Sequence, residues 1–125
     1  MTEREFKIRT KQIALRIIRL AEALPRSSTA QVIGKQLLRS GTSIGVNYRA
    51  ACRGKSRADV IHKLSIVEEE ADECLYWIEL LIDAGVISAS RVSNLTKDID
   101  SIVAMTVASI KTMRVSAAAN PKSKT

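Results

Sequence analysis

The sequence predicts an all-α protein, an antiparallel up-down-up-down four-helix bundle, and three observations favour that class. Of the 125 residues, 46% are hydrophobic but only 3% are aromatic, whereas β-sandwich strands favour aromatic and β-branched side chains. The chain contains only two prolines, Pro25 and Pro121, and proline is poorly tolerated inside a helix. Apolar residues also recur at steps of three and four in four successive segments, the spacing of one helical face.

The length and composition indicate a single domain. A chain of 125 residues can bury one hydrophobic core but is too short for two. We expect the bundle domain over residues 1–116 and a flexible tail over residues 117–125. The charged N-terminus does not resemble a signal peptide, and no apolar run approaches the roughly 20 residues that span a bilayer. We therefore expect a cytoplasmic protein without membrane contact, in which Cys52 and Cys74 are reduced.

Helix one is predicted over about Glu3–Ala23. The stretch Thr2-Glu3-Arg4-Glu5 has the form of a capping box, in which two side chains satisfy free backbone N–H groups at the helix start. Its apolar face is formed by Phe6, Ile13, Ile17, Leu20 and Leu24. Pro25 ends the helix because it lacks a backbone donor and disfavours helical geometry in the preceding residue.

Helix two is predicted to open at a cap in Ser28-Thr29-Ala30-Gln31 and to contain two glycines, Gly41 and Gly45. A glycine in a helix interior costs about 1 kcal/mol relative to alanine, so the pair indicates either a kink or an unusually close helix contact. An end at Ser40 followed by a restart is the alternative. A continuous, bent helix is favoured because Gly54 and Ser56 form a better stop and restart signal.

Helices three and four carry the clearest periodicity. Ser56 is the predicted cap of helix three, and Asp83-Ala84-Gly85 its predicted end. Its heptad seam is formed by Val60, Leu64, Val67, Ala71, Cys74, Ile78 and Leu81. Further apolar residues widen this surface, as expected for a helix that lies centrally or forms an oligomer interface. Ser88 is the predicted cap of helix four, and short connections favour an antiparallel bundle.

The sequence lacks the residue combinations that are typical of catalytic or metal-binding sites. A di-iron bundle requires Glu-x-x-His on two helices, but His62 is the single histidine. The carboxylates of Glu68–Glu70, Asp72 and Glu73 are spread around a helix rather than paired. The sequence also has no phosphate-binding glycine loop and no plausible base for a serine nucleophile. We expect no catalytic residues, no metal and no cofactor, and hence a protein that is not an enzyme.

The charge distribution points to a polyanion. Residues 1–57 contain 13 Lys/Arg and 3 Asp/Glu, whereas residues 58–125 contain 7 and 10, and the formal net charge is +7. Clustered arginines suit phosphate backbones. The candidate nucleic-acid-binding residues are Arg16, Arg19, Arg39, Arg49, Arg53, Lys55 and Arg57. The alternative is that these cations pair with the acidic run at Glu68–Glu73, within one subunit or between subunits.

Several spaced stretches together resemble one known family. They are Arg39-Ser40-Gly41-Thr42-Ser43-Ile44-Gly45-Val46-Asn47-Tyr48-Arg49-Ala50-Ala51, Ser56-Arg57-Ala58-Asp59, Lys63-Leu64-Ser65-Ile66, Glu68-Glu69-Glu70-Ala71-Asp72-Glu73 and Tyr76-Trp77-Ile78-Glu79-Leu80-Leu81. The family is that of the 23S rRNA-intervening-sequence proteins, four-helix bundles of which some are encoded inside insertions in bacterial large-subunit ribosomal RNA genes. The accessory variability determinant of diversity-generating retroelements is similar in fold.

The resemblance implies a homopentamer, a ring or barrel whose basic surface is implicated in RNA binding. Many relatives carry an acidic residue in an Asn-x-x-Glu arrangement, but Ala50 occupies that place here, so no role of that carboxylate carries over. The candidate interface residues are Asn47, Tyr48, Tyr76 and Trp77.

The residues of this chain agree with such an assembly. The Asn47 amide can bridge helices, and Trp77 lies on a helix that already has a complete seam, although ordinary core packing explains Trp77 equally well. Two hypotheses follow. The first is a homo-oligomeric RNA-binding accessory protein. The second is a protein–protein interaction scaffold whose basic residues are used in subunit pairing.

Overall fold

The structure, a computed structural model, describes residues 1–119 and forms a bundle of four α-helices. The helices are α1 (Glu3–Glu22), α2 (Ser28–Cys52), α3 (Arg57–Asp83) and α4 (Ala89–Ala119). Residues 1–119 contain no β-strand. Each helix packs extensively on the next one along the chain, whereas α1 and α4 touch over a much shorter stretch. The predicted all-α four-helix bundle is confirmed.

Serine and threonine side chains begin the first three helices. The Oγ atoms of Thr2, Ser27 and Ser56 accept hydrogen bonds from the backbone N–H three residues later, at 3.1, 3.2 and 3.0 Å. The cap of α2 is therefore Ser27, and the prediction of a cap at Ser28 is wrong by one residue. Ser27 has an extended backbone, with φ −68° and ψ 150°, whereas Ser28 is already helical, and only the extended residue turns its hydroxyl toward a free N–H.

The helix α2 runs unbroken through Gly41 and Gly45, which confirms the continuous helix. A Cβ atom on Gly41 would collide with the side chain of Ile17 on α1, and one on Gly45 would lie 3.3 Å from Oγ1 of Thr10. The glycines thus permit the close helix contact that was one of their two predicted roles. The predicted stop signals also hold, since α2 ends at Cys52 and α3 is followed by Gly85 with φ +75°.

The core is one cluster of aliphatic side chains along the bundle axis, with a smaller cluster near one end. Its fully buried members come from all four helices and include Ile13, Ile17, Leu37, Ile44, Val67, Ile78, Leu81, Ile99 and Ile102. The smaller cluster joins Ala51, Leu64 and Ile110. Three buried hydroxyls, those of Thr10, Ser40 and Thr106, donate to backbone carbonyls of their own helices. These three buried hydroxyl groups are therefore hydrogen-bonded, as buried polar groups generally are.

The last helix, α4, is the longest of the four described helices. α4 continues to Ala119, three residues beyond position 116, and residues 120–125 of the predicted tail lie outside the described part of the chain. Within that part, none of the helices combines the length and the apolar character needed to cross a bilayer.

Candidate nucleic-acid interface

Positively and negatively charged residues lie mainly on different helices. α2 carries three Lys/Arg and no Asp/Glu, and α1 carries six Lys/Arg against three Asp/Glu. α3 is the reverse, with two Lys/Arg and eight Asp/Glu. Because α1 and α2 are neighbours in the bundle, one side of the molecule is cationic and α3 presents an anionic surface.

The antiparallel arrangement collects cations at one end of the bundle. The rings of Phe6, at the start of α1, and Tyr48, near the end of α2, stack with centroids 4.1 Å apart. At the same end, Nη1 of Arg57 at the start of α3 donates to the carbonyl of Met113 on α4, at 3.1 Å. The exposed cations gathered here, which we call the basic end, are Arg4, Lys11, Arg49, Arg53, Lys55, Lys111 and Arg114. Among the described residues, none of them forms an ion pair.

The seven predicted nucleic-acid-binding residues divide into two groups. Arg49, Arg53 and Lys55 are exposed at the basic end, and Arg19 is exposed near the opposite end of α1. The other three cations are engaged within the chain: Arg16, Arg39 and Arg57. Arg49, Arg53 and Arg57 are spaced by four in the sequence but do not lie in a row on one helix, because α2 ends at Cys52 and Arg57 begins α3.

Arg39 links the cationic helix α2 to the acidic helix α3. Its Nη1 lies 3.2 Å from Oε2 of Glu70, and its Nη2 forms an ion pair with Oε1 of Glu73. The hydrogen bond with Glu73 raises the pKa of the Arg39 guanidinium, so the group remains a cation. This contact is pairing of the basic half with the acidic run, as the alternative interpretation proposed, and it occurs within one chain.

Arg16 closes the seam between α1 and α4. Its Nη1 lies 2.5 Å from Oδ2 of Asp98, and Arg9 approaches the other oxygen of the same carboxylate at 3.8 Å. Arg57 is half-buried, and its Nε has no hydrogen-bond partner in the described residues. Arg16 thus connects α1 to α4 through Asp98, and Arg57 connects α3 to α4 through the carbonyl of Met113.

A second cationic cluster, at the other end of the bundle, includes one residue that sequence reasoning missed. A cavity of about 210 Å³ between α1 and the start of α4 is lined by Arg16, Arg19 and Arg91, together with apolar side chains. In the sequence, Arg91 lies outside the basic half, and no other arginine is close to it along the chain. In the predicted up-down-up-down bundle the first and last helices run antiparallel, and this topology was the one signal that could have placed Arg91 beside Arg19.

The four predicted interface residues are also used to different extents within the chain. Tyr48 is half-buried against Phe6, and burial raises the pKa of its phenol above the ordinary range. Nδ2 of Asn47 donates to the carbonyl of Ser43, at 2.8 Å, on its own helix. In the described chain the amide does not bridge helices, because Ser43 lies one turn earlier and is the nearer acceptor.

The two aromatic residues of α3 differ in exposure. Nε1 of Trp77 donates to Oε1 of Glu73, at 3.1 Å, and the ring packs against the core. Tyr76 is 54% exposed and touches Trp77 edge-on, with ring centroids 5.2 Å apart. Tyr76 is thus the predicted interface residue that is most available to another molecule. Residues 1–119 contain no group of three or more His, Cys, Asp or Glu side chains placed to hold a metal.

Comparisons with known proteins agree with this architecture. Residues 4–108 match the family described as 23S rRNA-intervening sequence protein. A crystal structure of a protein of unknown function from the S23 ribosomal protein family of Bacteroides thetaiotaomicron superposes with a TM-score of 0.82. The two sequences are 39% identical, and the match covers 89% of this chain and 99% of that one. No curated protein matches the sequence. By its sequence match over residues 4–108, this chain belongs to the 23S rRNA-intervening sequence protein family.

Proposed function

We propose that this protein is a non-enzymatic, homo-oligomeric accessory protein of the cytoplasm that binds RNA through its basic end. The proposal is carried by one observation. Arg49, Arg53 and Lys55 are exposed together at one end of the bundle and form no ion pair among the described residues. Cations that are not neutralised within the fold attract a polyanion and release its counterions on binding.

The geometry favours contact with the phosphate backbone. Arginine presents a planar fork of donors that fits phosphate oxygens bidentately. The aromatic side chain nearest to these cations, Tyr48, is partly buried: one face of its ring stacks on Phe6, and it packs against the core. Phosphate contacts position a protein on nucleic acid but carry no sequence information. The binding is therefore expected to depend on charge and RNA shape.

The family name and the name of the similar crystal structure support RNA as the polyanion. One refers to an insertion in 23S rRNA and the other to a ribosomal protein family. The family resemblance also supports a homopentamer, in which five basic ends would multiply a weak single contact by raising the effective concentration.

The test is a fluorescence anisotropy titration of a labelled RNA hairpin at several salt concentrations. The double variant Arg53→Gln/Lys55→Gln removes two exposed cations of the basic end. Each lost phosphate contact should reduce the slope of log affinity against log salt by about 1, so the slope should become shallower by up to about 2 while the oligomeric mass is unchanged. Arg26→Gln/Lys97→Gln is the matched control, because it removes two exposed cations elsewhere and should leave the slope as in the wild type.

A second candidate function, a protein–protein interaction scaffold, is favoured by the exposed ring of Tyr76 among carboxylates on α3. The titration separates the two functions. No RNA binding even at about 50 mM salt, where electrostatic association is strong, would contradict the RNA-binding role and leave the scaffold.

A further inference from the structure

An apolar groove with a net excess of cationic side chains runs along the outer side of α1 and α2. Two adjoining cavities, of about 720 and 260 Å³, share Thr42 as a lining residue. On α2 the groove is lined at steps of three and four by Lys35, Leu38, Thr42, Gly45 and Arg49. On α1 it is lined by Lys11, Ala14, Ile18 and Ala21, among others. The small side chains give the middle of this α1–α2 groove its depth. Arg49 lies near one end together with Lys7 and Lys11, whereas Lys35 lies toward the other end, where Glu22 of α1 also lines the groove.

A matching row of residues lies on the outer face of α3. It consists of Glu69, Asp72, Tyr76, Glu79 and Asp83, again at steps of three and four, and all five are exposed. None of these four carboxylates forms an ion pair within residues 1–119. We call this set the acidic row. Its centre is the one large aromatic side chain of the described chain that is more than half exposed.

We infer that the acidic row of one copy of this chain docks into the α1–α2 groove of a second copy, with Tyr76 seated over Thr42. The inference rests on the proposed homo-oligomer and names the two surfaces that form it. The occupant is a second copy because the groove and the acidic row are complementary in charge and in spacing and lie on different sides of the same bundle.

The two surfaces have the same length and the same register. Lys35 and Arg49 are 14 residues apart on α2, and Glu69 and Asp83 are 14 residues apart on α3, so each pair spans about 21 Å of helix. Thr42 and Tyr76 are the midpoints of these intervals. With the midpoints aligned, both cations of α2 face carboxylates, whether the two helices run parallel or antiparallel.

The central contact is apolar. Leu38 is 37% exposed and Tyr76 is 54% exposed, and a tyrosine ring that enters the groove removes both from water. Tyrosine is favoured at protein interfaces because it buries a large ring while its hydroxyl can still reach a polar partner. The carboxylates around the ring exclude alternative pairings, because two acidic rows, or two cationic grooves, repel each other.

A contact between two different surfaces is head-to-tail. Such contacts leave one free groove and one free acidic row at the ends of any open assembly, and they close into a ring when the rotation between subunits allows it. This property provides a sharp test, because breaking the groove in one copy and the acidic row in another leaves one intact contact in the mixture.

The experiment measures molar mass by size-exclusion chromatography with light scattering at micromolar concentration. The variant Tyr76→Glu breaks the acidic row, and Thr42→Glu places a carboxylate in the middle of the groove. Each alone is expected to be a monomer. A one-to-one mixture of the two is expected to give a heterodimer with twice the monomer mass. The controls Tyr76→Phe, which keeps the ring, and Asn94→Glu, which adds one carboxylate to exposed α4, should assemble as the wild type does.

The outcomes distinguish this inference from the proposed function. A monomeric wild type would overturn both the homo-oligomer and the inference. A wild-type oligomer that survives Tyr76→Glu or Thr42→Glu would overturn the inference alone, as would a mixture that stays monomeric. If Thr42→Glu lowers the melting temperature, Lys35→Glu/Arg49→Glu tests the same contact at two exposed positions and should also prevent assembly. The contact between copies uses Arg49, so RNA binding by the assembled protein rests on Arg53 and Lys55, which line neither cavity, and is measured separately.

Discussion

The neighbouring helices α2 and α3 are alike in architecture and opposite in charge. They contain 25 and 27 residues, pack antiparallel, and each buries a row of small and aliphatic side chains. Yet α2 has no acidic residue, whereas α3 has eight. They meet at one mixed seam, where Arg39 pairs with Glu70 and Glu73, and where Oγ of Ser40 lies 3.2 Å from Sγ of Cys74.

Because α2 and α3 bury similar side chains and differ in charge, packing in the core does not determine which charged residues lie on the outer surface of a helix. Like charges three or four residues apart weaken a helix, and α3 carries several such pairs among Glu68–Glu73. Opposite charges three or four residues apart on the same helix would have stabilised that helix more. The segregated arrangement instead gives two surfaces of opposite sign on one subunit, which is the property that the proposed RNA binding and the proposed head-to-tail assembly both require.

The largest effect is expected where Gly41 of α2 packs against Ile17 of α1. We predict that Gly41→Val destabilises the protein by about 3 kcal/mol, in the upper part of the range for overpacked cores. A Cβ atom at this position would collide with Ile17, whose side chain is fully buried and cannot move away. Urea denaturation followed by circular dichroism measures the change.

Gly45→Ala is the matched control for that prediction. Its added methyl group would lie 3.3 Å from Oγ1 of Thr10 and otherwise make ordinary contacts, and alanine gains up to about 1 kcal/mol of helix propensity over glycine. Its stability should equal or exceed that of the wild type. Equal losses in both variants would contradict the view that the collision with Ile17 causes the loss at Gly41.

An intermediate effect is expected at the seam between α2 and α3 in alkaline solution. Burial, together with the nearby carboxylates of Glu70 and Glu73, raises the pKa of the Cys74 thiol to about 11, from an ordinary value of about 8.5. The unfolded chain therefore loses this proton first. The stabilising contribution is complete below about pH 8.5 and decreases as the pH rises toward 11, by about 1 kcal/mol per pH unit.

The measurement is the free energy of unfolding between about pH 8 and pH 9, about one unit below the ordinary tyrosine pKa of about 10. Cys74→Ala should show a shallower decline than the wild type, whereas Cys52→Ala, at a more exposed position, should keep most of it. Identical slopes for the wild type and Cys74→Ala would exclude Cys74 as the source.

The smallest effect is expected from the exposed ion pairs of the same seam. Arg39→Gln removes the contacts with Glu70 and Glu73, and exposed ion pairs contribute little and are screened by salt. We predict a small decrease in melting temperature at low salt that disappears at about 1 M salt. A decrease that persists at high salt would mean that Arg39 acts by packing. Arg26→Gln, at an exposed position that forms no ion pair in the described structure, should change nothing.

Local patterns predicted most of the fold. The seams of Ile13–Leu24 and Leu64–Leu81 and the caps at Thr2 and Ser56 depend on residues within one or two helical turns of each other, so sequence spacing identifies them. The choice of Ser27 over Ser28 depended on backbone geometry. Two adjacent serines have equal capping chemistry, and spacing could not separate them.

The candidate site was less predictable because it depends on which side chains the fold brings together. From the sequence alone, the seven candidate nucleic-acid-binding cations were equally plausible as contacts for a polyanion. The structure shows that Arg16 and Arg39 pair with carboxylates 82 and 31–34 residues away, and that Arg57 bonds a carbonyl 56 residues away. Likewise, Glu69, Tyr76 and Asp83 form one outer row only because α3 buries the opposite face.

Both the first and the last helix have their outer termini at the basic end, since α1 starts beside the end of α2 and α4 ends beside the start of α3. A group attached at the start of α1 would lie next to these cations and would compete sterically with the proposed RNA ligand. The connections at residues 23–27 and 84–88 lie at the far end of the bundle. A fluorophore or affinity handle inserted there would report on binding without covering the surface that it is meant to monitor.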